Sequence, residues 1–423
     1  MKKNYIFVLV LQAIIMLSFG QTTVNQIIVG NGGIYGNDAD HVTLTGINPE
    51  NFESTFVGEV IRESIQDLII VGDMAYVAAE DSLAKFDLKT NTKLAAVYHG
   101  NLSRLFYAND LLYVSMRSDL NGAPADGKYL KAFDHNLNLL YESDQITTDA
   151  AAMCQVGDSL YIAVSGDWQA TEGRLAVANS DLSFVREMNL GADAVGIIDL
   201  FVSEASIFTV NKSPYGATTG SITTYNANNA SWNTNVMENI VGKGVKLVDE
   251  LLYLGIDHGI GSYSIISNTI VNQQIIADPG SASYINIAAA IFDEINEKFY
   301  VTITDYTSLG EGKIYDIQGN ELGQFDASVS AEAMAIHYTD ETSTFELDPL
   351  EASIYPNPAQ QNINIQSFEN ITKVEIYNQA GQLLLHEQSS HIGNINISEL
   401  SAGLYMVKIY SGQEWTRVKL LKQ

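Results

Sequence analysis

Three charged residues in the first half of the chain stand at one fixed distance before a recurring aromatic residue. The pairs, nine residues apart, are Asp67 with Tyr76, Arg104 with Tyr113, and Asp199 with Phe208. If the aromatic residues hold equivalent places in a repeated fold, the three charged groups meet at one end of it. This convergence favours an ion pair between neighbouring repeats, and as a second interpretation it predicts a polar ring that receives a small ligand.

An acidic loop near the N-terminus has the residue types of a metal site. Asp38, Asp40 and His41 form an Asp-x-Asp-His cluster, and carboxylates with an imidazole can hold a divalent cation. Acidic loops flanked by glycine are also common as plain solvated turns, which is the alternative interpretation. We therefore expect no cofactor, with a bound calcium ion as a minor alternative.

Two further acidic segments are weaker metal candidates. Asp119, Asn121 and Asp126 share a glycine-containing loop, but their spacing does not match an EF-hand. Asp257-His258 has no third ligand nearby, and the seven histidines show no His-x-x-x-His spacing. These segments indicate turns more than ion sites.

Catalytic motifs are not found in the sequence. It contains no Gly-x-Ser-x-Gly elbow, no phosphate-binding P-loop and no dinucleotide-binding glycine motif that follows a strand. Cys154 is the only cysteine, so no intramolecular disulfide can form, and it stands in an apolar, strand-like run. We expect it to be a buried structural residue.

The elements that would position these residues are short β-strands in a repeated unit. Each unit has an apolar strand, a tight turn, a strand with an aromatic residue, and two further strands. The six aromatic positions, spaced 37, 48, 47, 45 and 47 residues apart, are Tyr76, Tyr113, Tyr161, Phe208, Tyr253 and Tyr300. This spacing suits four-stranded propeller blades.

A seventh unit is split between the two ends of the repeat region. Segments 26–30 and 41–45 supply its outer strands, and segment 332–338 supplies its inner strand. Pairing them closes the ring and removes open sheet edges. The pattern predicts an all-β, seven-bladed β-propeller, with six or eight blades as alternatives.

The Leu-Tyr-Val type strands resemble those of YVTN-type and quinoprotein-like propellers over about 310 residues, as in Leu160-Tyr161-Ile162. The resemblance implies a fold shared by extracellular binding proteins, surface-layer repeats and some oxidoreductases. The longest loops are 118–129, 166–173 and 211–220, and Trp168 and Tyr215 stand in the last two. Aromatic residues there form either a sugar or peptide platform or part of the blade packing.

The last 75 residues change in composition and predict a small Ig-like β-sandwich of six or seven strands. They carry Tyr355-Pro356-Asn357-Pro358, then Gly381, then Gly403 and Tyr405 before a basic-apolar tail. In order and spacing, these residues resemble the type A sorting domain of the type IX secretion system of Bacteroidetes-type bacteria. An unrelated β-sandwich, such as a carbohydrate-binding appendage, is the alternative.

The resemblance implies contact with the type IX machinery, removal of the module by a sorting peptidase, and release or attachment at the outer surface. The N-terminus agrees, because Lys2 and Lys3 precede an apolar run that ends in Ser18-Phe19-Gly20, as in a signal peptide. We expect a signal peptide over 1–20, a propeller over 21–339, a linker over 340–351 and a sorting domain over 352–423, with no membrane span in the mature chain.

Charge excludes one class of partner. The chain has 50 acidic and 22 basic residues, for a net charge of −28, and such a field repels phosphate backbones. We expect no nucleic acid, and a carbohydrate or protein as the ligand. The sequence therefore favours a secreted or cell-surface binding protein. An extracellular enzyme of quinoprotein or lactonase type, or a structural coat component, remain the alternatives.

Overall fold

The computed structural model describes residues 21–34, 36–37, 39–118, 126–166, 169–341, 352–367, 369–378, 382–411 and 414–423. The predicted signal peptide lies outside these residues, as does most of the predicted linker. The described chain divides into two compact units, Thr22–Asp340 and Glu341–Gln423. Each unit is described by itself.

The first unit consists of short antiparallel strands joined by tight turns. In chain order they are β1 (Gln21–Asn31), β2 (Val42–Ile47), β3 (Ser54–Val60), β4 (Ile65–Val71), β5 (Met74–Ala79), β6 (Ser82–Asp87), β7 (Thr92–Tyr98), β8 (Leu102–Ala108), β9 (Leu111–Met116), β10 (Leu130–Phe133), β11 (Leu139–Ser143), β12 (Ala150–Val156), β13 (Ser159–Val164), β14 (Arg174–Ala178), β15 (Val185–Asn189), β16 (Ile197–Ser203), β17 (Ser206–Asn211), β18 (Gly220–Asn226), β19 (Ser231–Met237), β20 (Val241–Val248), β21 (Leu251–Ile256), β22 (Gly259–Ser264), β23 (Thr269–Ile276), β24 (Asn286–Asp293), β25 (Lys298–Thr304), β26 (Glu311–Asp316), β27 (Glu321–Asp326) and β28 (Ala331–Glu341). Two 3₁₀ turns, Ala192–Ala194 and Ser281–Ser283, interrupt the connections.

These strands form seven four-stranded sheets in the described chain, which are the blades of a propeller. Blades 1 to 6 are successive sets of four strands, starting with β4, β8, β12, β16, β20 and β24. Blade 7 has the order β28-β1-β2-β3. The split seventh blade, and with it the seven-bladed ring, is confirmed.

Turn chemistry explains the hairpins between the first two strands of each blade. Asn109 and Asp110, between β8 and β9, both have positive φ, at 53° and 59°. A type I′ turn needs positive φ at both central residues, and Asn and Asp tolerate it better than most. Gly72 and Gly157 supply the left-handed residue of the equivalent turns, each with φ of 57°.

Blade 7 closes the ring by packing on both neighbours. Ile28 on β1 belongs to the same buried cluster as Leu68 and Val77 of blade 1. Ile27, the preceding residue, points the other way and is buried with Tyr300 of blade 6. Alternation along β1 therefore seals the ring on both sides, as a two-residue side-chain period requires.

A buried imidazole adds a polar link at the closure. His337 on β28 has a fully buried side chain, and its Nε2 lies 3.2 Å from Oδ1 of Asp73 in blade 1. Its Nδ1 lies 3.2 Å from the side-chain nitrogen of Asn25 on β1. The closing strand is thus hydrogen-bonded both within its blade and to the next one.

The second unit is a small β-sandwich. Its strands are β29 (Ala352–Tyr355), β30 (Asn362–Ser367), β31 (Lys373–Tyr377), β32 (Leu383–Gln388), β33 (Asn394–Asn396), β34 (Gly403–Ser411) and β35 (Glu414–Lys422). One sheet has the order β29-β30-β33 and the other β32-β31-β34-β35. Residues of both sheets, among them Ile363, Ile395, Ile376 and Val407, share one buried core.

The described residues form no helix that is long and apolar enough to cross a bilayer.

Candidate functional site

Charged side chains from five blades occupy the start of the innermost strands. Four of them are the third residue of their strand, namely Asp67 on β4, Arg104 on β8, Asp199 on β16 and Lys243 on β20. The fifth, Glu332, is the second residue of β28. The matching third residues of β12 and β24 are Ala152 and Ala288. Because these strands surround the propeller axis, the charged groups line one mouth of the central channel.

A break in strand pairing recurs at this level. In β4, β8, β12, β16, β20 and β24, the register with the second strand shifts within the first few residues. A bulge leaves a residue unpaired and changes the direction of nearby side chains. The repeated bulge therefore frees backbone amides at the channel mouth, and these amides need acceptors.

Two of the predicted acidic residues supply such acceptors across blade boundaries. The amide of Leu105 in blade 2 donates to Oδ2 of Asp67 in blade 1, at 2.8 Å. The amide of Gly244 in blade 5 donates to Oδ2 of Asp199 in blade 4, also at 2.8 Å. Each carboxylate thus satisfies a backbone amide that borders a register shift in the next blade, which is a structural role.

Arg104 lies between these two carboxylates. Its Nη1 is 3.5 Å from Oδ1 of Asp67, and its Nη2 is 4.0 Å from Oδ1 of Asp199. Burial disfavours the charge of Arg104, but the two carboxylates outweigh this effect and raise the pKa of the guanidinium. The three residues singled out in the sequence do come together, as one network across blades 1, 2 and 4.

Lys243 and Glu332 extend this network and were not identified from the sequence. Lys243 is exposed, and its Nζ donates to the carbonyl of Ala288 at 3.4 Å. Burial and the nearby Arg104 lower the pKa of Lys243, against the opposing charges of Glu332, Asp199 and Asp67. Burial raises the pKa of Glu332, which Lys243 and Arg117 oppose.

The channel mouth opens on the face that carries the long loops. Consecutive strands of a blade are antiparallel, so the start of the first strand lies at the same face as the connections after the second and fourth strands. Those connections carry exposed apolar side chains, with exposed fractions of 87% for Tyr215, 81% for Tyr284, 77% for Leu309 and 42% for Tyr306. Burial raises the pKa of Tyr306, and the charge of Glu332 adds to the rise.

The aromatic residues that the sequence places in long loops can be compared with the structure only in part. Tyr215 is exposed as expected, whereas Trp168 lies outside the described residues. A third aromatic residue, Trp232, lies on β19, and its indole N–H donates to the carbonyl of Leu190 at 3.0 Å.

The acidic segments act as loop caps. Oδ2 of Asp40 accepts the amide of Ile34 at 2.9 Å, His41 follows it at the edge of β2, and Asp38 lies outside the described residues. Asp126 pairs with Lys131 at 2.5 Å. Among the described residues, no three His, Cys, Asp or Glu side chains stand close enough together to hold a metal ion.

The Asp257 carboxylate is likewise occupied. Its Oδ1 accepts the amide of Ile240 at 2.9 Å, and its Oδ2 accepts the side-chain amides of Asn239 and Gln273, each at 2.7 Å. Cys154 is buried, as expected, and burial raises the pKa of its thiol to about 12. A thiol held protonated in this way is a poor nucleophile.

Two surface grooves of about 430 Å³ lie apart from these charged groups. One, in the β-sandwich, is lined mainly by apolar atoms of Tyr377, Leu404 and Met406. The other lies in the propeller beside β23 and β26, and its Lys313 already faces Glu311 and Glu321 at 3.5 Å. The second groove is lined by three charged residues, Asp278, Glu311 and Lys313, against the five that converge at the channel mouth.

In the β-sandwich, the residues of the sorting motif have clear structural roles. The Asn357 side chain donates to the carbonyl of Lys419 at 2.7 Å and accepts the amide of Leu421 at 2.9 Å. The turn formed with Tyr355, Pro356 and Pro358 is thereby attached to the last strand. The Tyr405 hydroxyl donates to the carbonyl of Ser401 at 2.7 Å, just ahead of Gly403 at the start of β34. Gly381 lies outside the described residues.

Comparison with known proteins agrees with this division of the chain. Residues 353–423 match the family model of the secretion system C-terminal sorting domain. No curated protein is significantly similar to the chain in sequence.

Solved structures resemble the propeller. One is a proposed 6-phosphogluconolactonase from Bacteroides fragilis, 12% identical, with a TM-score of 0.53 over 75% of this chain and 98% of that one. Another is a quinoprotein alcohol dehydrogenase-like protein from Bacteroides thetaiotaomicron, 14% identical, with a TM-score of 0.53 over 74% of this chain and 78% of that one. At these identities, the likeness shows the fold alone. The protein is an all-β, seven-bladed propeller with a C-terminal type IX secretion sorting domain, which directs it to the outer cell surface or the surrounding medium.

Proposed function

We propose that the protein is an extracellular binding protein whose ligand site is the mouth of the propeller channel. The observation that carries the proposal is the convergence of Asp67, Arg104, Asp199, Lys243 and Glu332 from five blades. Binding sites commonly combine a rigid concave scaffold with a few converging polar groups. The exposed Tyr284 and Tyr306 on the rim add apolar contact area for a sugar ring or a peptide.

The engaged state of the carboxylates favours binding over catalysis. Asp67 and Asp199 each accept a backbone amide and also face Arg104. The oxygens of both carboxylates are therefore already engaged by protein donors. Neither is free to join a metal ring, as the quinoprotein or lactonase alternative would require.

Export by the sorting domain would place this ligand site outside the cell. We propose that the sorting domain (352–423) contacts the type IX machinery and is removed by a sorting peptidase, together with part of the 340–351 linker. The mature protein would then be the propeller with the start of the linker, from residue 21 to about residue 344. It would bind a carbohydrate or protein ligand, either released or attached to the surface.

The test is a ligand screen with the secreted protein, followed by substitution at the mouth. Surface polysaccharides, oligosaccharides and peptides are arrayed, and binders are measured by titration. Arg104→Ala is expected to weaken binding at least about tenfold, as loss of a charged hydrogen bond does. Arg186→Ala on the outer strand β15, where the side chain is exposed, is the control.

Because Arg104→Ala leaves two carboxylates without their cation, Glu332→Gln is measured beside it as a variant that preserves shape. Binding that is unchanged in both variants would contradict the site. Chemical turnover of a bound compound would favour the enzyme alternative, and concentration-dependent self-association without ligand binding would favour the coat component.

A further inference from the structure

Lys243 differs from the lysines that face neighbouring carboxylates. Lys246, three residues along the same strand, lies 2.6 Å from Oε1 of Glu294, and Lys89 lies 2.7 Å from Oδ2 of Asp73. Among the described residues, no carboxylate oxygen lies within 4.0 Å of Lys243 Nζ. In a chain with 50 acidic and 22 basic residues, a channel lysine without a close carboxylate is not the expected arrangement.

The hydrogen-bonding capacity of Lys243 is largely unused. An ammonium group has three donors, and the protein partner it has here is the carbonyl of Ala288, at the long distance of 3.4 Å. Lys243 is more than a third exposed. Its remaining donors therefore face the water of the channel mouth.

A second cation stands near the same place. Arg117 directly follows β9, at the face where the channel mouth opens, and its side chain is exposed. The charges of Lys243 and Arg117 both act on the Glu332 carboxylate, so the three groups share one neighbourhood. Burial raises the pKa of Glu332, and the charges of the two cations oppose this rise.

We propose that the ligand of the channel mouth carries a compact oxyanion, such as a carboxylate or a sulfate, and that Lys243 binds it with help from Arg117. The inference rests on the proposed function, because it names the chemical class of the ligand for that same site. It excludes a cationic ligand, since Asp67 and Asp199 are already engaged by backbone amides and Arg104.

The net charge of −28 does not prevent an anion from reaching this position. At physiological ionic strength, the screening length is about 8 Å, so distant surface carboxylates act weakly at the mouth. Inside the ring, Lys243 is screened less, because protein replaces much of its water. An arriving oxyanion would also offset the burial that lowers the pKa of Lys243.

The experiment compares two probes that differ in one group. Glucuronate and glucose are offered to the full-length protein, and saturation-transfer NMR reports which sugar contacts it. We expect transfer to glucuronate at least about tenfold stronger than to glucose, as a charged hydrogen bond implies. Lys243→Met should abolish the difference, Lys243→Arg should retain it, and Lys246→Met should leave it unchanged.

Inorganic sulfate is then added as a competitor. Displacement of glucuronate assigns the site to oxyanions in general, and retention of glucuronate assigns it to carboxylates. Equal transfer to both sugars, no transfer to glucuronate, or full binding by a folded Lys243→Met variant would overturn the inference. A neutral ligand found in the screen that depends on Arg104 and Glu332 but not on Lys243 would also overturn it, while leaving the proposed binding function intact.

Discussion

The carboxylate of Asp67 in blade 1 accepts the backbone amide of Leu105 in blade 2 at 2.8 Å. Leu105 directly follows the register shift of β8, which lies between Leu102 and Leu105. A buried amide without an acceptor costs free energy comparable to a lost hydrogen bond. The contact therefore joins two blades at the level where their own strand ladders are interrupted.

Asp67→Ala is expected to destabilise the propeller by about 2–3 kcal/mol, because it removes the acceptor of Leu105 and a partner of Arg104. Asp67→Asn keeps an oxygen acceptor and loses only the charge, so about 1 kcal/mol is expected. Chemical denaturation measures both. Asp144→Ala, at an exposed position between blades, should stay within about 0.5 kcal/mol of the parent. If Asp67→Ala lowered the free energy of unfolding no more than this control does, the role of Asp67 in joining blades 1 and 2 would be contradicted.

Tyr300 and Tyr113 hold the same position in their blades but differ at the hydroxyl. Both are third residues of a second strand and are fully buried. The Tyr113 hydroxyl donates to the carbonyl of Ser180 at 2.9 Å, whereas the Tyr300 hydroxyl has no hydrogen-bond partner among the described residues. Burial accordingly raises the pKa of Tyr300 strongly.

We expect Tyr300→Phe to be neutral or stabilising in free energy of unfolding, because it removes a buried polar atom that makes no protein hydrogen bond. Tyr113→Phe removes a made bond and should cost about 1 kcal/mol. Denaturant titrations of the two variants give the comparison directly. A larger loss from Tyr300→Phe than from Tyr113→Phe would show that the Tyr300 hydroxyl is satisfied in solution.

Much of the fold followed from the sequence because its signals are local and repeated. The aromatic anchors Tyr76, Tyr113 and Phe208 are all buried on second strands, and the nine-residue offset therefore identified equivalent inner-strand positions. This offset was sufficient to predict that Asp67, Arg104 and Asp199 would meet, and to weigh an ion pair against a ligand ring. It could not decide between the two, since both use the same residues.

Lys243 and Glu332 were missed for a physical reason. Strand β20 shifts register twice, before and after Gly244, so Lys243 stands ten residues ahead of its anchor Tyr253 instead of nine. Glu332 lies on β28, which pairs with β1 from the other end of the propeller sequence. No aromatic anchor of the repeat follows Glu332, so the nine-residue offset could not be counted for it. Counting from the start of each inner strand, rather than back from the anchor, would have found both.

Removing Phe345–Gln423 should leave the protein in the periplasm. The deleted segment contains the whole match to the sorting domain family, whereas the last propeller strand, β28, ends at Glu341 and stays intact. The ring should therefore still close and fold. Cell fractionation, with protease accessibility on intact cells, locates the product. The full-length Arg104→Ala variant should still reach the surface. Surface display of the truncated chain would contradict the role of the C-terminal domain in sorting.

Among the described residues of the sorting domain, Glu375 has a carboxylate that binds several side chains at once. Its Oε2 accepts the hydroxyls of Tyr377 and Tyr410, both at 2.7 Å, and its Oε1 lies 3.0 Å from Lys373 Nζ. These hydrogen bonds, with that of Tyr410 the strongest, lower the pKa of Glu375 to about 2, although burial opposes the shift. The charged carboxylate thus holds three side chains of β31 and β34 together.

Because the folded pKa of Glu375 is below its ordinary value of 4.5, its contribution to stability is present above about pH 4.5. It is lost progressively as the pH falls from there toward 2. Glu375→Gln should lose on the order of 1 kcal/mol at neutral pH, since solvent screens charges in so small a domain. The deficit relative to the parent should shrink as the solution is acidified through this window.

Amide NMR signals of β31 and β34, followed through an acid titration of the full-length protein, measure the unfolding of this domain separately from the propeller. Glu369→Gln, at an exposed position before β31, changes the same charge without removing a hydrogen-bonded carboxylate and should follow the parent curve. A constant difference between Glu375→Gln and the parent from pH 7 to pH 2 would mean that packing, and not ionisation, accounts for the effect. A difference that closes only below pH 4.5 would instead identify the Glu375 charge as the stabilising element.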